Sequence, residues 1–339
     1  MHAALLWTIN DFLAYGDISG WSTKGALACP PCNYDSQSHW LIYGRKFSYI
    51  GHRRFLGSDH KFRKQKKSFD ENVDIRLAPI TVSGGEIMLQ TDVVNDHVFG
   101  KKKVNLTNKR ERREEALTVW KKRSIFFFLP YWEEHVLHHN LDVMHIEKNV
   151  VSNIIGTLLN LDGKTKDNLK ARHMGIRSEL HLEKVGNDQT CMPDACFHMN
   201  ASENDGFLQV LKGVRVPDGY SSNISHCVKL KERKISGMKS HDNHILMQQL
   251  FPIAICGSLP TIVSRPLIDL SCFFRKIYSK VLKVEELGAI EKRIAVTLCE
   301  LERVFPPFFT VMVHLVMHLA SKAKVAGLVQ YHWMYPIKR

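Results

Sequence analysis

Acidic residues are scarce in this 339-residue chain. Only 34 Asp and Glu stand against 47 Lys and Arg, for a formal net charge of +13 and a pI near 9.3. That balance favours a polyanionic partner, either nucleic acid or an acidic membrane surface, and is silent on fold. Cysteine is scarce too. Only Cys29 and Cys32 stand at metal-like spacing, while Cys191, Cys196, Cys227, Cys256, Cys272 and Cys299 are scattered. A disulfide framework is therefore excluded, and reduced thiols are expected. Long apolar runs are missing. The longest candidate, FFTVMVHLVMHLA, is interrupted by His314 and His318, so no membrane span is expected. No charged-then-apolar leader opens the chain, which predicts an intracellular protein. No internal repeat is found. What remains is ordinary globular usage, 44% hydrophobic and 24% charged. The length suits one large or two ordinary domains.

The positive charge is concentrated. Residues 45 to 123 hold 20 Lys and Arg against 10 Asp and Glu. The centres are Arg53-Arg54, KFRKQKK at 61–67, Lys101 to Lys103 and KRERR at 109–113. Phe47, Tyr49, Phe55, Phe62 and Phe69 are interleaved with these charges. Phosphate contacts beside stacking aromatics have this composition, and so does a solvated basic face. KFRKQKK also has the composition of a nuclear-import signal.

Hydrophobic patterning divides the rest. AALLWTINDFLAYG reads as a buried apolar segment broken at Asn10-Asp11, and residues 22 to 60 read as loop. SIFFFLPYW at 124–132 is short, continuous and aromatic, which predicts a buried strand ended by Pro130. Leu137, Leu141, Met144, Val150, Ile154, Ile155, Leu158 and Leu159 recur at helical spacing, which predicts a helix to about Leu161. Residues 162 to 240 are polar and read as a linker with short elements. From His241 four helical segments follow, separated by Pro252, Pro266 and Pro306-Pro307.

Three constellations carry candidate chemistry. Cys29 and Cys32 in ACPPC are half of a tetrahedral zinc site, a redox pair, or a loop without metal. As a zinc half-site they need partners from His39, His52 or His60. His314 and His318, four apart on an apolar face, are a zinc pair or core histidines; no glutamate follows His314 as in HExxH. In HNLDVMHIEKNV, Asp142, His145 and Glu147 form either the polar face of a helix or part of an acidic metal site. In the second case other carboxylates are needed, and Asp11 at the strand break is the natural candidate.

The segments AALLWTINDFLAYGDISGWSTKGALACPPCN, GHRRFL, SIFFFLPYW, HNLDVMHIEKNV and NIIGTLLN closely resemble transposases of plant CACTA (En/Spm-type) DNA transposons. KTKDNLKAR, VPDGYSSNIS, KSHDNHILMQQL, VMVHL and QYHWMYP extend the resemblance into the uncharacterised helical domain that follows the transposase part. The resemblance implies a ribonuclease H-like catalytic domain with an Asp-Asp-Glu/Asp triad holding two Mg²⁺ ions. It matches Asp11 to the second acid and Asp142 with His145 to an Asp-x-x-His signature, and it leaves Glu147 as the choice for the third acid. It also implies a zinc knuckle, with Cys29, Cys32 and His52 as the ligands retained here, because Ser48 stands where relatives carry Cys. The family's first catalytic Asp is expected upstream of these residues. Leu13 replaces a usual Pro, and Val151-Ser152 replaces Cys-Asp.

The expected fold class is therefore α+β. A partial ribonuclease H-like domain would span 1–161, with a basic, zinc-knuckle-like insertion at about 22–123. A linker at 162–240 and a helical domain at 241–339 would follow. The expected function is that of a truncated transposase, inactive alone, ancestrally cleaving and transferring DNA strands with Mg²⁺, and with Zn²⁺ possible at the knuckle. Asp11, Glu147, Asp142 and His145 are the expected catalytic residues. DNA would be held by Arg53, Arg54, Lys64, Lys66, Lys67, Lys101, Lys102 and Lys103. The expected setting is the nucleus, with other transposase subunits as partners and no membrane. The alternative is a non-catalytic DNA-binding or interaction protein using the basic segment and the helices. Cleavage that depends on Asp11 would separate the two.

Overall fold

A computed structural model describes residues 4–41, 45–94, 119–161, 183–185, 189–191, 197–215, 223–305 and 309–334. In chain order its principal elements are β1 (Thr8–Asn10), α1 (Phe12–Ser19), β2 (His39–Leu41), β3 (Lys46–Ser48), α2 (Gly84–Thr91), β4 (His139–Leu141), α3 (Val143–Leu158), α4 (Ala201–Gly213), α5 (Ser240–Ile245), α6 (Thr261–Ile277), α7 (Val284–Val304), α8 (Val311–Leu315) and α9 (Leu319–Ala326). Helices dominate, and every sheet among the described residues has two strands. The class is α+β. Two compact units are present. One comprises Met1–Ser36, Pro79–Asp142 and His332–Arg339, and the other Gln37–Ala78 and Val143–Tyr331.

The first unit is organised by the parallel pair β1–β4. Asp11 ends β1 and starts α1 in one step, because its carboxylate accepts the Ala14 N–H at 3.0 Å and caps the helix. Gly20 closes α1 with φ +86°. A Cβ there would sit 1.9 Å from the Lys122 carbonyl oxygen, so only glycine fits. Beyond it, Trp21 bridges to Trp120, and their rings meet edge-to-face at 4.9 Å. Gln90 on α2 ties this corner together, its Oε1 accepting from Trp120 Nε1 and Asn33 Nδ2.

SIFFFLPYW is not a strand. Ser124 Oγ accepts the Phe126 N–H, and the chain closes into 3-10 turns at Ile125–Phe128 and Trp132–Glu134. Pro130 between them has no N–H for a ladder, and Ile125 and Phe128 are exposed. The strand in this region is the next segment, His139–Leu141, where a helix was expected. The helix begins only at Val143, and it buries Met144 and Val150 as the periodicity requires.

The second unit is mostly helical. Its core includes Leu246, Leu270, Phe274, Leu298, Phe309, Val313 and Val316. Pro266 does not separate helices but lies inside α6, buried, and Pro252 sits in the first turn of the short helix Phe251–Ile255. The apolar stripe of α6 overrides the one ladder bond that proline removes. Of the polar stretch 162–240, the described parts include the antiparallel pair Glu183–Val185 with Gln189–Cys191, a hairpin at Val228–Ile235, and α4, whose N-terminus is closed by an Asn200–Glu203 capping box.

Candidate functional site

Register builds the site in the first unit. Thr8 pairs with His139, Ile9 with Asn140 and Asn10 with Leu141, and the strands run parallel. The next residue on each strand is an aspartate, Asp11 and Asp142. The Asp142 N–H donates to the Asn10 carbonyl at 2.8 Å, so the two aspartates leave the carboxyl ends of adjacent parallel strands together. Ligand sites in sheets with parallel strands form at that edge. Asp142 is buried, and its Oδ1 accepts the Met334 N–H.

The strands themselves carry buried polar groups. Asn10 Nδ2 donates to Thr8 Oγ1, which bonds His139 Nδ1 at 2.7 Å. Asn140 Oδ1 accepts the Leu141 N–H. His139 Nε2 and Asn140 Nδ2 are buried with no hydrogen-bond partner among the described residues. Native proteins bury few such groups, and functional sites are one place where they are found. Burial, reinforced by neighbouring His138, pushes the His139 pKa down to about 3, so the ring is neutral.

Glu147 and His145 lie on α3, in the second unit. The Glu147 carboxylate is completely buried, and it is not presented as an open ligand. Its Oε2 meets His244 Nδ1 at 2.8 Å, and its Oε1 accepts from Gln248 Nε2 at 2.9 Å. Burial raises its pKa, against opposition from His244, Gln248 and Tyr278. The expected third acid is thus a buried acceptor that ties α3 to α5 and the π-helical turn Leu246–Leu250. His244 and Gln248, spaced i, i+4, were the overlooked signal. His145 is half-buried, and its carbonyl accepts from Asn149.

The basic segment splits by residue type. Arg53, Arg54 and Arg63 are buried. Arg53 Nη1 donates to the carbonyls of Gln65 and Asn72, Nη2 pairs with Asp70, and the guanidinium lies over Phe69 at 4.5 Å. Arg54 Nε donates to the Leu77 carbonyl. Arg63 binds the carbonyls of Leu56, Asp74, Arg76 and Arg54. A loop rich in unpaired carbonyls recruits guanidinium forks, which removes Arg53 and Arg54 from the phosphate-facing set. Tyr49, Phe62 and Phe69 are buried as well, so they pack rather than stack on bases. Lys61, Lys64, Lys66 and Lys67 stay exposed. Lys101, Lys102 and Lys103 lie outside the described residues.

Zinc-type ligands are present in each unit. In the first, Cys29 and Cys32 are buried, outside any disulfide and within 4.8 Å of one another, in a loop fixed by Asn33 N–H to the Cys29 carbonyl. In the second, His52 does not have a ring nitrogen to offer, because Nδ1 meets Glu302 Oε2 at 2.9 Å and Nε2 meets His314 Nδ1 at 3.0 Å. Ser48 is buried in β3. Burial favours a neutral Glu302, but His52 and the N–H groups of Gly51 and His52 outweigh it and hold the carboxyl below its usual range. Sequence gave no sign of Glu302, one acid among several on an amphipathic helix.

Residues 1–94 match the family model described as transposase family tnp2. Residues 277–339 match a domain of unknown function, DUF4218. Together they support a transposase-derived protein. Asp11, Cys29, Cys32 and His52 fall in the first match, and His314 and His318 in the second; Asp142 and Glu147 fall in neither. No curated protein and no solved structure matches the chain. No described helix is long and apolar enough to cross a membrane.

Proposed function

We propose that the chain is a transposase-derived DNA-handling protein of the CACTA type, with Asp11 and Asp142 as the carboxylates of a divalent-cation site. The observation that carries this reading is the register of β1 and β4, which brings the two aspartates off neighbouring parallel strand ends. Two carboxylates suit a hard cation such as Mg²⁺. A bound Mg²⁺ there would polarise a phosphoryl oxygen and activate a water or DNA hydroxyl. Asp11 also caps α1, which holds its side chain in one rotamer; Asp142 is held by the Met334 N–H. A parallel strand pair followed by acidic residues is also what a ribonuclease H-like ancestry requires. Glu147 takes a structural role in this reading, and His145 flanks the site in sequence without a ligand role.

DNA contact in this reading comes from Lys61, Lys64, Lys66 and Lys67, an exposed set within ten residues of chain. Such a set binds phosphate with little base preference and with a steep salt dependence. Nuclear residence and assembly with other transposase subunits belong to the same reading.

The test is nicking of supercoiled plasmid in Mg²⁺ or Mn²⁺ by the purified chain. Cleavage lost in Asp11→Asn and in Asp142→Asn, and kept in Glu147→Gln, supports the reading. DNA binding without cleavage, unchanged by either Asn substitution, favours the non-catalytic alternative.

A further inference from the structure

The second unit contains a linear chain of buried polar groups: Glu302, His52, His314 and His318. Glu302 on α7 accepts the Gly51 N–H, the His52 N–H and His52 Nδ1. A carboxylate in that position only accepts, so the His52 proton sits on Nδ1. With a neutral ring, His52 Nε2 is then a bare lone pair, and it accepts from His314 Nδ1 at 3.0 Å. The His314 proton is thereby committed to Nδ1, and its Nε2 lone pair is left pointing onward. What it points at is His318 Nε2, 3.4 Å away.

That last separation differs from the others. Two hydrogen-bonded nitrogens sit near the 3.0 Å seen one step earlier, and 3.4 Å is beyond the usual range. Two imidazoles on one tetrahedral zinc, each at about 2.0–2.1 Å, have their nitrogens about 3.3–3.4 Å apart. We propose that His314 and His318 are zinc ligands through their Nε2 atoms, with His52 and Glu302 as positioning residues that fix the tautomer and orientation of His314. A carboxylate relayed through an imidazole to a metal-bound imidazole is a recurring way of orienting and strengthening a ligand. The i, i+4 spacing brings both rings to one side of the α8–α9 segment. Tyr49 stacks on His314 at 5.8 Å, Phe55 stands edge-on to His318 at 5.8 Å, and Phe309 covers His52 at 4.8 Å. These rings pack directly against the histidines. Imidazole donors in a buried apolar setting select zinc over Mg²⁺ or Ca²⁺.

The test uses the full chain, stripped with a chelator and titrated with Zn²⁺, or with Co²⁺ as an optical probe. X-ray absorption on the zinc-loaded wild type is expected to show at least two imidazoles at about 2.0–2.1 Å. His318→Ala is expected to weaken zinc by about 100-fold or more. Glu302→Gln, which keeps the shape and one acceptor oxygen, is expected to weaken it by about 10–100-fold. The wild-type absorption spectrum does not depend on any variant folding. Fewer than two imidazoles in it, or zinc affinity unchanged in His318→Ala, would overturn the proposal.

Discussion

Asp142 and Glu147 come from one short stretch, five residues apart, and the fold uses them in opposite ways. Asp142 leaves the end of β4 beside the end of β1, and its carboxylate accepts the Met334 backbone N–H. Glu147, one helical turn and a half further on, has both oxygens taken by side chains of another helix. The first arrangement places a carboxylate directly after a strand end, beside the neighbouring parallel strand. The second closes a carboxylate inside a core, where its value is cohesion. The difference is set by secondary structure rather than by residue type: the strand delivers its last residue to an edge, whereas a helix delivers its buried face to a neighbour.

The largest expected effect falls on the buried partner. Glu147→Ala leaves His244 and Gln248 without their acceptor in a closed site, and is expected to destabilise the protein by about 2–5 kcal/mol. Asp142→Asn keeps an acceptor for the Met334 N–H, and is expected to cost about 1 kcal/mol or less. Urea unfolding of the two variants measures both. Comparable losses would erase the distinction drawn here.

Protons sharpen the same contrast. His139, in the strand that carries Asp142, has its folded pKa lowered to about 3 from the ordinary imidazole value of 6.5. The unfolded chain therefore takes up the proton first. Stability from this group is fully present above pH 6.5 and is lost as pH falls toward 3, at about 1.4 kcal/mol per pH unit. Glu147 has the opposite sign. Its raised pKa means the fold holds a proton that the unfolded chain releases, so its contribution is present below about pH 4.5 and lost as pH rises through the folded value. In melts followed across pH, His139→Asn is expected to remove the acid-side loss and Glu147→Gln the loss on raising pH. An unchanged pH profile in either variant contradicts the assigned environment.

The helical character from His241 onward and the buried face of α3 are legible in the sequence, because those signals are local and periodic, although Pro266 lies inside a helix rather than between two. Strand β4 is not legible there, since three residues without alternation cannot announce a partner 131 residues earlier in the chain. SIFFFLPYW has the apolar continuity of a strand, but the Ser124 cap and Pro130 close it into 3-10 turns. Candidate acids were visible as residue types, but the pairing of Asp11 with Asp142 rather than with Glu147 depends on parallel register, which no spacing encodes. The arginines misled for a related reason. Charge counting treats Arg53 and Lys64 alike, whereas unpaired loop carbonyls draw in the planar guanidinium and leave the ammonium in water.

That division predicts the smallest effects. Lys61, Lys64, Lys66 and Lys67 changed together to Ala are expected to shift stability by no more than about 0.5 kcal/mol, while lowering duplex DNA affinity and flattening its salt dependence. Arg53→Lys is expected to act the other way, lowering the melting temperature without a specific change in salt slope. Fluorescence anisotropy over a salt series, paired with thermal melts, reads both.

The most direct measurement is Mn²⁺ binding, followed by electron paramagnetic resonance of the free ion in the wild type, Asp11→Asn, Asp142→Asn and Glu147→Gln. The strand-end site predicts that Asp11→Asn and Asp142→Asn each abolish the bound fraction with the fold intact, and that Glu147→Gln keeps it. Binding that survives both Asn substitutions, or that Glu147→Gln removes without unfolding the chain, would contradict it.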